Sequence, residues 1–228
     1  MADTEAGPSA RPATPAPPAV DFDALRGTTL NTSPFTWGTV HGMLSRPLLD
    51  RLVEEFPDRG FTRTERASGR PGEKGYRTDN LGLVRDGRPD PEALRRLTPL
   101  WRELLDALCS PGYRSAVGEL TGRDVSGAAL EIRAVRYPAG AWIDPHTDRL
   151  DKLVTQTWYF NANWPADHEG HFLVLGSSDA GDVRRRVLPR AGESIVMCPS
   201  EQSWHAVTPV SASAAEDRKV LLLHLTEQ

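Results

Sequence analysis

The sequence is poor in cysteine and in long apolar runs. Only Cys109 and Cys198 occur among 228 residues, so no disulfide framework is indicated. No segment approaches the roughly 18 apolar residues that cross a bilayer, and the first 20 residues contain no apolar stretch of the kind that directs export. We therefore expect a cytoplasmic protein with no membrane partner.

An excess of positive charge is also lacking. The formal net charge is -4, and acidic and basic residues are interspersed rather than gathered in a basic stripe that could neutralise phosphates. We therefore expect no nucleic-acid partner. With 39% hydrophobic residues, the chain is long enough for one domain with a sizeable core.

The composition predicts a tail followed by one domain. Residues 1–20 are mostly Ala, Pro, Ser and Thr, which bury too little apolar surface to offset the entropy of ordering, so we expect a disordered tail. Residues 21–228 form the domain. Its first part, 21–127, is expected to supply helices and loops that support a catalytic part at 128–228.

Capping residues indicate the helices of the first part. Ser45 followed by Pro47 predicts a helix that ends near Phe56. A helix with leucines on one face starts after Asp90 and runs to Leu108, with a possible kink at Pro99. Another begins after Ser110 and ends before Gly122.

The segment 63–80 is rich in Arg, Gly and charge and has neither helical nor strand periodicity, which predicts a long loop. Its basic residues, which include Arg63, Arg66, Arg70 and Lys74, fit a solvated mobile segment. They also fit a lid over a carboxylate- or phosphate-bearing substrate, with Arg77 and the later Arg133 as its contacts.

After Gly127 the pattern changes to short strands separated by Gly, Pro, Asn and Asp. The predicted strands lie near 129–137, 152–162, 171–176, 183–188, 193–198, 203–208 and 218–226. Strands at this spacing favour a double-sheet jelly roll, that is, a double-stranded β-helix of the cupin-like kind. The fold class is thus mostly β with flanking helices, and the N-terminal helices are expected to pack on one sheet.

Three residues form a candidate metal site. His146 and Asp148 are two residues apart and share a face if the backbone is extended, and His205 lies on another predicted strand. Two imidazoles and one carboxylate suit Fe(II) oxygenases. The spacing alone is weak, because 6 His and 17 Asp in 228 residues give about 0.4 His-x-Asp triplets by chance (6 × 17/228). An exposed turn and an ordinary strand histidine remain the alternatives.

Residues 136–225 resemble the prolyl-hydroxylase-like branch of the 2-oxoglutarate and Fe(II)-dependent dioxygenases. The resemblance rests on elements that occur in the same order as in that family. They are Tyr137-Pro138-Ala139-Gly140, His146-Thr147-Asp148, Trp158-Tyr159-Phe160-Asn161 with Trp164, Glu169-Gly170-His171-Phe172-Leu173, Val187-Leu188-Pro189-Arg190-Ala191-Gly192, Trp204-His205-Ala206-Val207-Thr208-Pro209-Val210 and Arg218. His171 departs from the pattern, since the family has a second glycine there. The first 120 residues carry no comparable match.

The resemblance implies an iron enzyme that uses 2-oxoglutarate and O2 as co-substrates, with His146, Asp148 and His205 as the Fe(II) ligands. It implies that Arg218 pairs with the distal carboxylate of 2-oxoglutarate, for which a planar guanidinium is suited. Tyr159 would donate to the same carboxylate. Further candidates for this co-substrate are Tyr137 and Thr155, and Lys219 is the substitute if Arg218 points away.

The predicted activity is hydroxylation of a C–H bond in a small molecule, an amino acid or a specialised metabolite, by a bacterial tailoring enzyme. The carboxylate of Asp148 favours this outcome, because the related halogenases have a small residue at that position. Trp142 and Trp204, beside the ligands, either wall the substrate pocket or pack the edge of the jelly roll.

Three alternatives stay open. The substrate could be a residue in a peptide or an amino acid tethered to a carrier protein, since relatives use the same catalytic half on peptidyl substrates. The protein could instead be a non-catalytic jelly-roll binding module, which is not an enzyme. The intact ligand residues argue against this alternative. A Zn or Mn hydrolase on a cupin-like barrel needs a general base, and no Glu is clearly placed for one.

Overall fold

The computed structural model describes residues 20–67 and 74–228. Within those ranges the helices are α1 (Asp23–Arg26), α2 (Arg46–Glu54), α3 (Pro91–Arg96), α4 (Pro99–Leu108) and α5 (Pro111–Thr121). The strands are β1 (Trp37–His41), β2 (Thr62–Arg66), β3 (Tyr76–Arg85), β4 (Arg88–Pro89), β5 (Ala129–Tyr137), β6 (Ile143–His146), β7 (Lys152–Tyr159), β8 (Phe172–Leu175), β9 (Val183–Val187), β10 (Glu193–Met197), β11 (His205–Val207) and β12 (Arg218–Thr226).

The strands form a curled antiparallel sheet with two layers. One layer has the order β1-β10-β7-β12-β5-β3, and the other has the order β6-β11-β8-β9. The layers join where Tyr76 of β3 pairs with Ile143 of β6. β2 and β4 each pair with β3. The predicted double-stranded β-helix with flanking helices is confirmed.

The helices cover the outer face of the larger layer. Trp101 of α4 is fully buried, donates from Nε1 to the Leu52 carbonyl over 3.2 Å, and packs against Phe56 and Phe160. The predicted packing of the N-terminal helices on one sheet is therefore observed, and it leaves the inner face of that sheet for the site.

Alternate residues of β12 face opposite sides of the sheet, as strand geometry requires. Leu221 and Leu223 join the core formed with the helices. Arg218, Leu222 and His224 point inward and line a cavity between the two layers. This alternation explains why Arg218 precedes the apolar run of β12 and why His224 interrupts it.

The predicted helices are confirmed with one correction. Residues 90–108 form two helices rather than one kinked helix, because the Thr98 hydroxyl accepts a hydrogen bond from the Trp101 amide and starts α4. Pro99 is then the first residue of a new helix, where its missing N–H costs nothing. Ser110 caps α5, and Gly122 ends it in the left-handed region at φ 67°.

The prediction of helices and loops for 21–127 was wrong in part, because β1 to β4 lie there. In particular, the predicted loop at 63–80 contains β2 and the first half of β3. Every residue of β2 is exposed, and the inward residues of β3 are polar, so no apolar alternation marks either strand. Arg70 and the rest of 68–73 lie outside the described residues.

Val20 is only 2% exposed and belongs to the core, although the predicted tail ended at residue 20. Residues 1–19 of that tail lie outside the described residues. In the described ranges the longest helix, α5, has 11 residues, and no helix is long and apolar enough to span a membrane.

Candidate metal and cofactor site

His146 and His205 come together because their strands are neighbours. β6 and β11 pair with His146 directly opposite His205, and the two imidazole centroids are 4.1 Å apart. Asp148 follows β6 and completes the group. One ligand atom from each of the three residues lies within 4.8 Å of the others, the only such cluster found in the described ranges.

Backbone carbonyls fix both imidazole rings. Nδ1 of His146 lies 2.9 Å from the Asp144 carbonyl, and Nδ1 of His205 lies 2.8 Å from the Ser203 carbonyl. Because a carbonyl oxygen only accepts, each Nδ1 must carry the proton, and each Nε2 keeps its lone pair. This is the tautomer that a metal ligand needs.

Two side chains hold the Asp148 carboxylate. Lys152 Nζ donates to Oδ1 over 2.6 Å, and Thr155 Oγ1 donates to Oδ2 over 2.8 Å. Lys152 also lies 3.1 Å from Nε2 of the buried His224. A carboxylate oxygen accepts two hydrogen bonds, so each oxygen of Asp148 retains one lone pair for a metal.

Charge favours metal binding at this group. Burial lowers the pKa of both His146 and His205, which keeps them neutral near pH 7. Burial alone would raise the pKa of Asp148, but the positive charges of His205, when it is protonated at low pH, and of Lys152 outweigh that effect and lower the pKa well below its ordinary value. Two neutral imidazoles and one carboxylate on one side of a metal are the ligand set of non-haem Fe(II) oxygenases.

Arg218 is a buried cation without a carboxylate partner among the described residues. It is 1% exposed, and its guanidinium lies over the rings of Tyr137 and Tyr159, with 4.5 and 5.2 Å between Cζ and the ring centroids. Nε donates to the Gly170 carbonyl over 2.7 Å. Nη1 and the Tyr159 hydroxyl are buried and have no hydrogen-bond partner among the described residues.

Gly170 allows the chain to approach Arg218 closely. Its φ of +65° is a left-handed conformation, and a Cβ built there would lie 3.1 Å from Arg218 Cδ and from Val210 Cγ2. The unpaired donors of Arg218 and Tyr159 suit a carboxylate, since a buried guanidinium needs an acceptor. The site therefore fits the distal end of 2-oxoglutarate.

A cavity of about 100 Å³ connects the ligands with Arg218. Of the residues predicted to bind the co-substrate, Arg218, Tyr137 and Thr155 line it, and Tyr159 packs behind Arg218. The Thr155 hydroxyl is engaged by Asp148 rather than free. Lys219 points away and pairs with Glu216 at 2.6 Å.

The substrate residues predicted from sequence separate into two groups. Arg133 lines the cavity, but Arg77, Trp142 and Trp204 are not among the described residues that do. Arg77 binds Glu65 and lies over the Trp142 ring. Trp204 packs on the outer side with residues of β8 and β11.

Two titratable cavity residues, Lys152 and His224, are not among the site residues predicted from sequence, whereas Lys74 belongs to the basic set predicted for the 63–80 segment. Two signals could have found them. His224 lies an even number of residues after Arg218 on one strand and therefore shares its face. Lysine is rare in this chain, with only Lys74, Lys152 and Lys219, and two of the three reach the cavity.

Comparison with known proteins gives a family match in the second half of the chain. Residues 132–225 match the family model of the 2OG-Fe(II) oxygenase superfamily. No curated protein sequence gives a significant match to this chain.

Solved structures share the fold at low sequence identity, which shows the fold alone. A Pseudomonas putida prolyl-4-hydroxylase is 20% identical, with 84% of this chain and 92% of that chain covered and a TM-score of 0.55. The Trichoplax adhaerens prolyl hydroxylase, solved with a hypoxia-inducible-factor peptide, is 15% identical with 84% of this chain and 83% of that chain covered and a TM-score of 0.54. The epimerase SnoN of nogalamycin biosynthesis is 15% identical with 84% and 78% covered and a TM-score of 0.53.

The family match covers less than half of the chain and includes both histidines, Asp148 and Arg218. Residues 132–225 are therefore similar to the 2OG-Fe(II) oxygenase superfamily, and His146, Asp148 and His205 fit the Fe(II) that the name of this family implies.

Proposed function

We propose that this enzyme hydroxylates a C–H bond of a small molecule, an amino acid or a specialised metabolite, with Fe(II) held by His146, Asp148 and His205. One observation carries the assignment of the site. The cavity lined by the three ligands is also lined by Arg218, whose Nη1 is buried beside the Tyr159 hydroxyl without a partner among the described residues.

The ligand residues act by holding their lone pairs toward a metal. The Asp144 and Ser203 carbonyls keep the proton of each imidazole on Nδ1, so Nε2 binds the iron. Lys152 and Thr155 fix the orientation of Asp148. We therefore assign Thr155 to the support of Asp148 rather than to 2-oxoglutarate.

Arg218 and Tyr159 donate to the distal carboxylate of 2-oxoglutarate, and Tyr137 also packs against the guanidinium. When bound, iron and 2-oxoglutarate activate O2, so that one oxygen atom enters succinate as CO2 is released and the other enters the substrate as a hydroxyl. Burial raises the pKa of both phenols, which keeps them as hydrogen-bond donors.

The rest of the cavity excludes water. Ile143, Phe172, Met197 and Val207 supply apolar walls around the ligands. Such walls protect a reactive oxidant from side reactions and strengthen the charge interactions inside. Asp148 fills the third ligand position, which supports hydroxylation rather than halide transfer.

The size of the adjoining space supports a small molecule. A second cavity of about 370 Å³ adjoins the metal cavity and falls at the lower end of the roughly 300–1,000 Å³ found for small-molecule sites. Among proteins of this fold, one was solved with a peptide and another is an epimerase of nogalamycin biosynthesis. The volume of the second cavity favours a small-molecule substrate over a peptide.

Succinate release tests this proposal. Fe(II)-loaded protein is incubated with 2-oxoglutarate, O2 and three sets of compounds: free amino acids and metabolites, the same amino acids within peptides, and carrier-protein thioesters. We expect slow succinate formation without substrate, and faster release with a free small molecule that gains one oxygen atom by mass. If only peptides or thioesters accelerate succinate release, the substrate is not a free small molecule. If iron-loaded protein forms no succinate at all, the proposed function is wrong.

A further inference from the structure

The metal cavity and the second cavity share a wall. Both are lined by Lys74 and Arg133, together with Tyr137, Ile143 and Leu222. We call the second one the outer cavity. Its far side is polar and comes from the β2–β3 hairpin, which contributes Thr64, Thr78 and Asn80.

The side chains of Lys74 and Arg133 have no hydrogen bond or ion pair with any described residue, although both line this wall. Neighbouring cations differ in this respect, since Arg77 binds Glu65, Arg63 binds Asp79 and Lys152 binds Asp148. A partly buried cation without a counter-ion is costly, and an anion placed beside it recovers that cost. The wall therefore has two free positive groups that converge on one space.

Burial of Lys74 agrees with this arrangement. Loss of hydration lowers the pKa of its ammonium group to about 8, and the Asp148 carboxylate opposes the shift only at longer range. An ammonium in this state gains more from a bound anion than an exposed one does, because the local dielectric is lower.

This second cationic region is distinct from the one assigned to 2-oxoglutarate. Arg218 of β12 lies opposite Tyr137 of β5, and Arg133 lies four residues before Tyr137 on the same strand. At roughly 3.3 Å per residue, the Cα atoms of the two arginines are about 13 Å apart along the sheet. Both regions border the cavity that the metal ligands line. One anion can therefore occupy each region.

The polar side of the outer cavity has a free acceptor. Asn80 Nδ2 donates to the hydroxyls of Thr64 and Thr78 over 2.8 and 2.9 Å. Its Oδ1 accepts no hydrogen bond from a described residue. This wall suits a substrate that carries N–H or O–H groups besides its charge.

We infer that the substrate of this enzyme is a carboxylate-bearing small molecule, bound in the outer cavity with its carboxylate between Lys74 and Arg133. This inference rests on the proposed function. It names the substrate class that the function left open, and it assigns specificity to a hairpin and a lysine outside the family match.

The three lysines make the test direct. Full-length protein with 13C-labelled lysine is loaded with Zn(II) and saturating 2-oxoglutarate, and the three Cε signals are assigned by Lys→Arg exchange at each position. Acetate is then titrated at constant ionic strength, with acetamide as the neutral control. Because 2-oxoglutarate occupies Arg218, acetate is left to bind at Lys74 and Arg133.

We expect a saturable shift of the Lys74 signal with acetate, none with acetamide, and no shift of Lys219. Arg133→Met should weaken acetate binding about tenfold, since it removes a charge-assisted hydrogen bond. Arg185→Met, which removes an exposed arginine of β9, is the matched control and should bind as the unchanged protein does.

The inference would be overturned if acetate did not shift the Lys74 signal, or if it shifted all three lysine signals without saturation. It would also be overturned if the Lys74 signal responded to acetate in Arg133→Met as it does in the unchanged protein. The proposed function is judged separately from the charge-transfer band of the Fe(II) and 2-oxoglutarate complex. If the charge-transfer band forms but the Lys74 signal does not respond to acetate, only the inferred substrate class is rejected. The absence of the band removes the proposed function itself.

Discussion

His205 lies directly opposite His146 on the neighbouring strand, and this single cross-strand pair brings the two imidazoles to 4.1 Å between centroids. The contact depends on the register of β11 against β6. A shift by one residue would turn one ring to the other face of the sheet. The metal site is thus a property of strand register as much as of residue type.

Thr155→Val should weaken Fe(II) binding about 10- to 100-fold, because it removes a hydrogen bond that orients the Asp148 carboxylate. Anaerobic titration with Fe(II) measures this affinity. Thr157→Val is the matched control, since Thr157 lies two residues later and lines the same cavity. Equal affinity in the two variants would show that Thr155 does not position Asp148.

Arg218→Lys should raise the KM for 2-oxoglutarate about 10- to 100-fold, because lysine keeps the charge but cannot donate two parallel hydrogen bonds. Steady-state succinate release measures it. Lys219→Met is the control, since that side chain binds Glu216 outside the cavity. An unchanged KM in Arg218→Lys would contradict the assignment of this residue.

Gly170→Ala should also raise the KM for 2-oxoglutarate, since the added Cβ would press on Arg218. Gly42→Ala has a similar left-handed φ, +80°, with no atom within 4 Å of its Cβ. Both changes should lower the free energy of unfolding by about 1–2 kcal/mol, measured in urea. A normal KM in Gly170→Ala would show that this glycine does not position Arg218.

Much of the second half of the domain could be predicted from sequence. Strands such as β5 and β12 were placed with their observed bounds, because they alternate or run apolar between turn residues. The first half could not be predicted so well. β2 has the sequence TRTER, and every one of its side chains is exposed. The inward side chains of β3 include Thr78 and Asn80, which are polar because they line a cavity rather than the apolar core. Neither strand therefore shows the apolar alternation by which strands are predicted.

The metal ligands and Arg218 could be predicted from motifs. The residues that orient the ligands could not. Lys152 and His224 act through contacts between β7 and β12, which depend on strand order. Arg77 and Trp142 were predicted to contact substrate, yet they pair with each other and with Glu65 away from the cavity. Sequence reveals the chemistry of a side chain but not which wall it reaches.

Lys74 should lose its proton at about pH 8 in the protein without acetate, because burial lowers its pKa from the ordinary value of 10.5. Burial disfavours the charged form, and a bound anion favours it, so acetate should move the midpoint upward. NMR titration of the Lys74 Cε signal measures both midpoints. A midpoint near 10.5 that acetate leaves unchanged would show an exposed, unperturbed lysine.

We assign His146, Asp148 and His205 to hold Fe(II) in a cavity where Arg218 receives 2-oxoglutarate. Anaerobic titration of the Fe(II)-loaded protein with 2-oxoglutarate tests this assignment most directly. We expect a visible metal-to-ligand charge-transfer band that saturates at one 2-oxoglutarate per iron and needs more co-substrate in Arg218→Lys. Folded, iron-loaded protein that develops no band would contradict it.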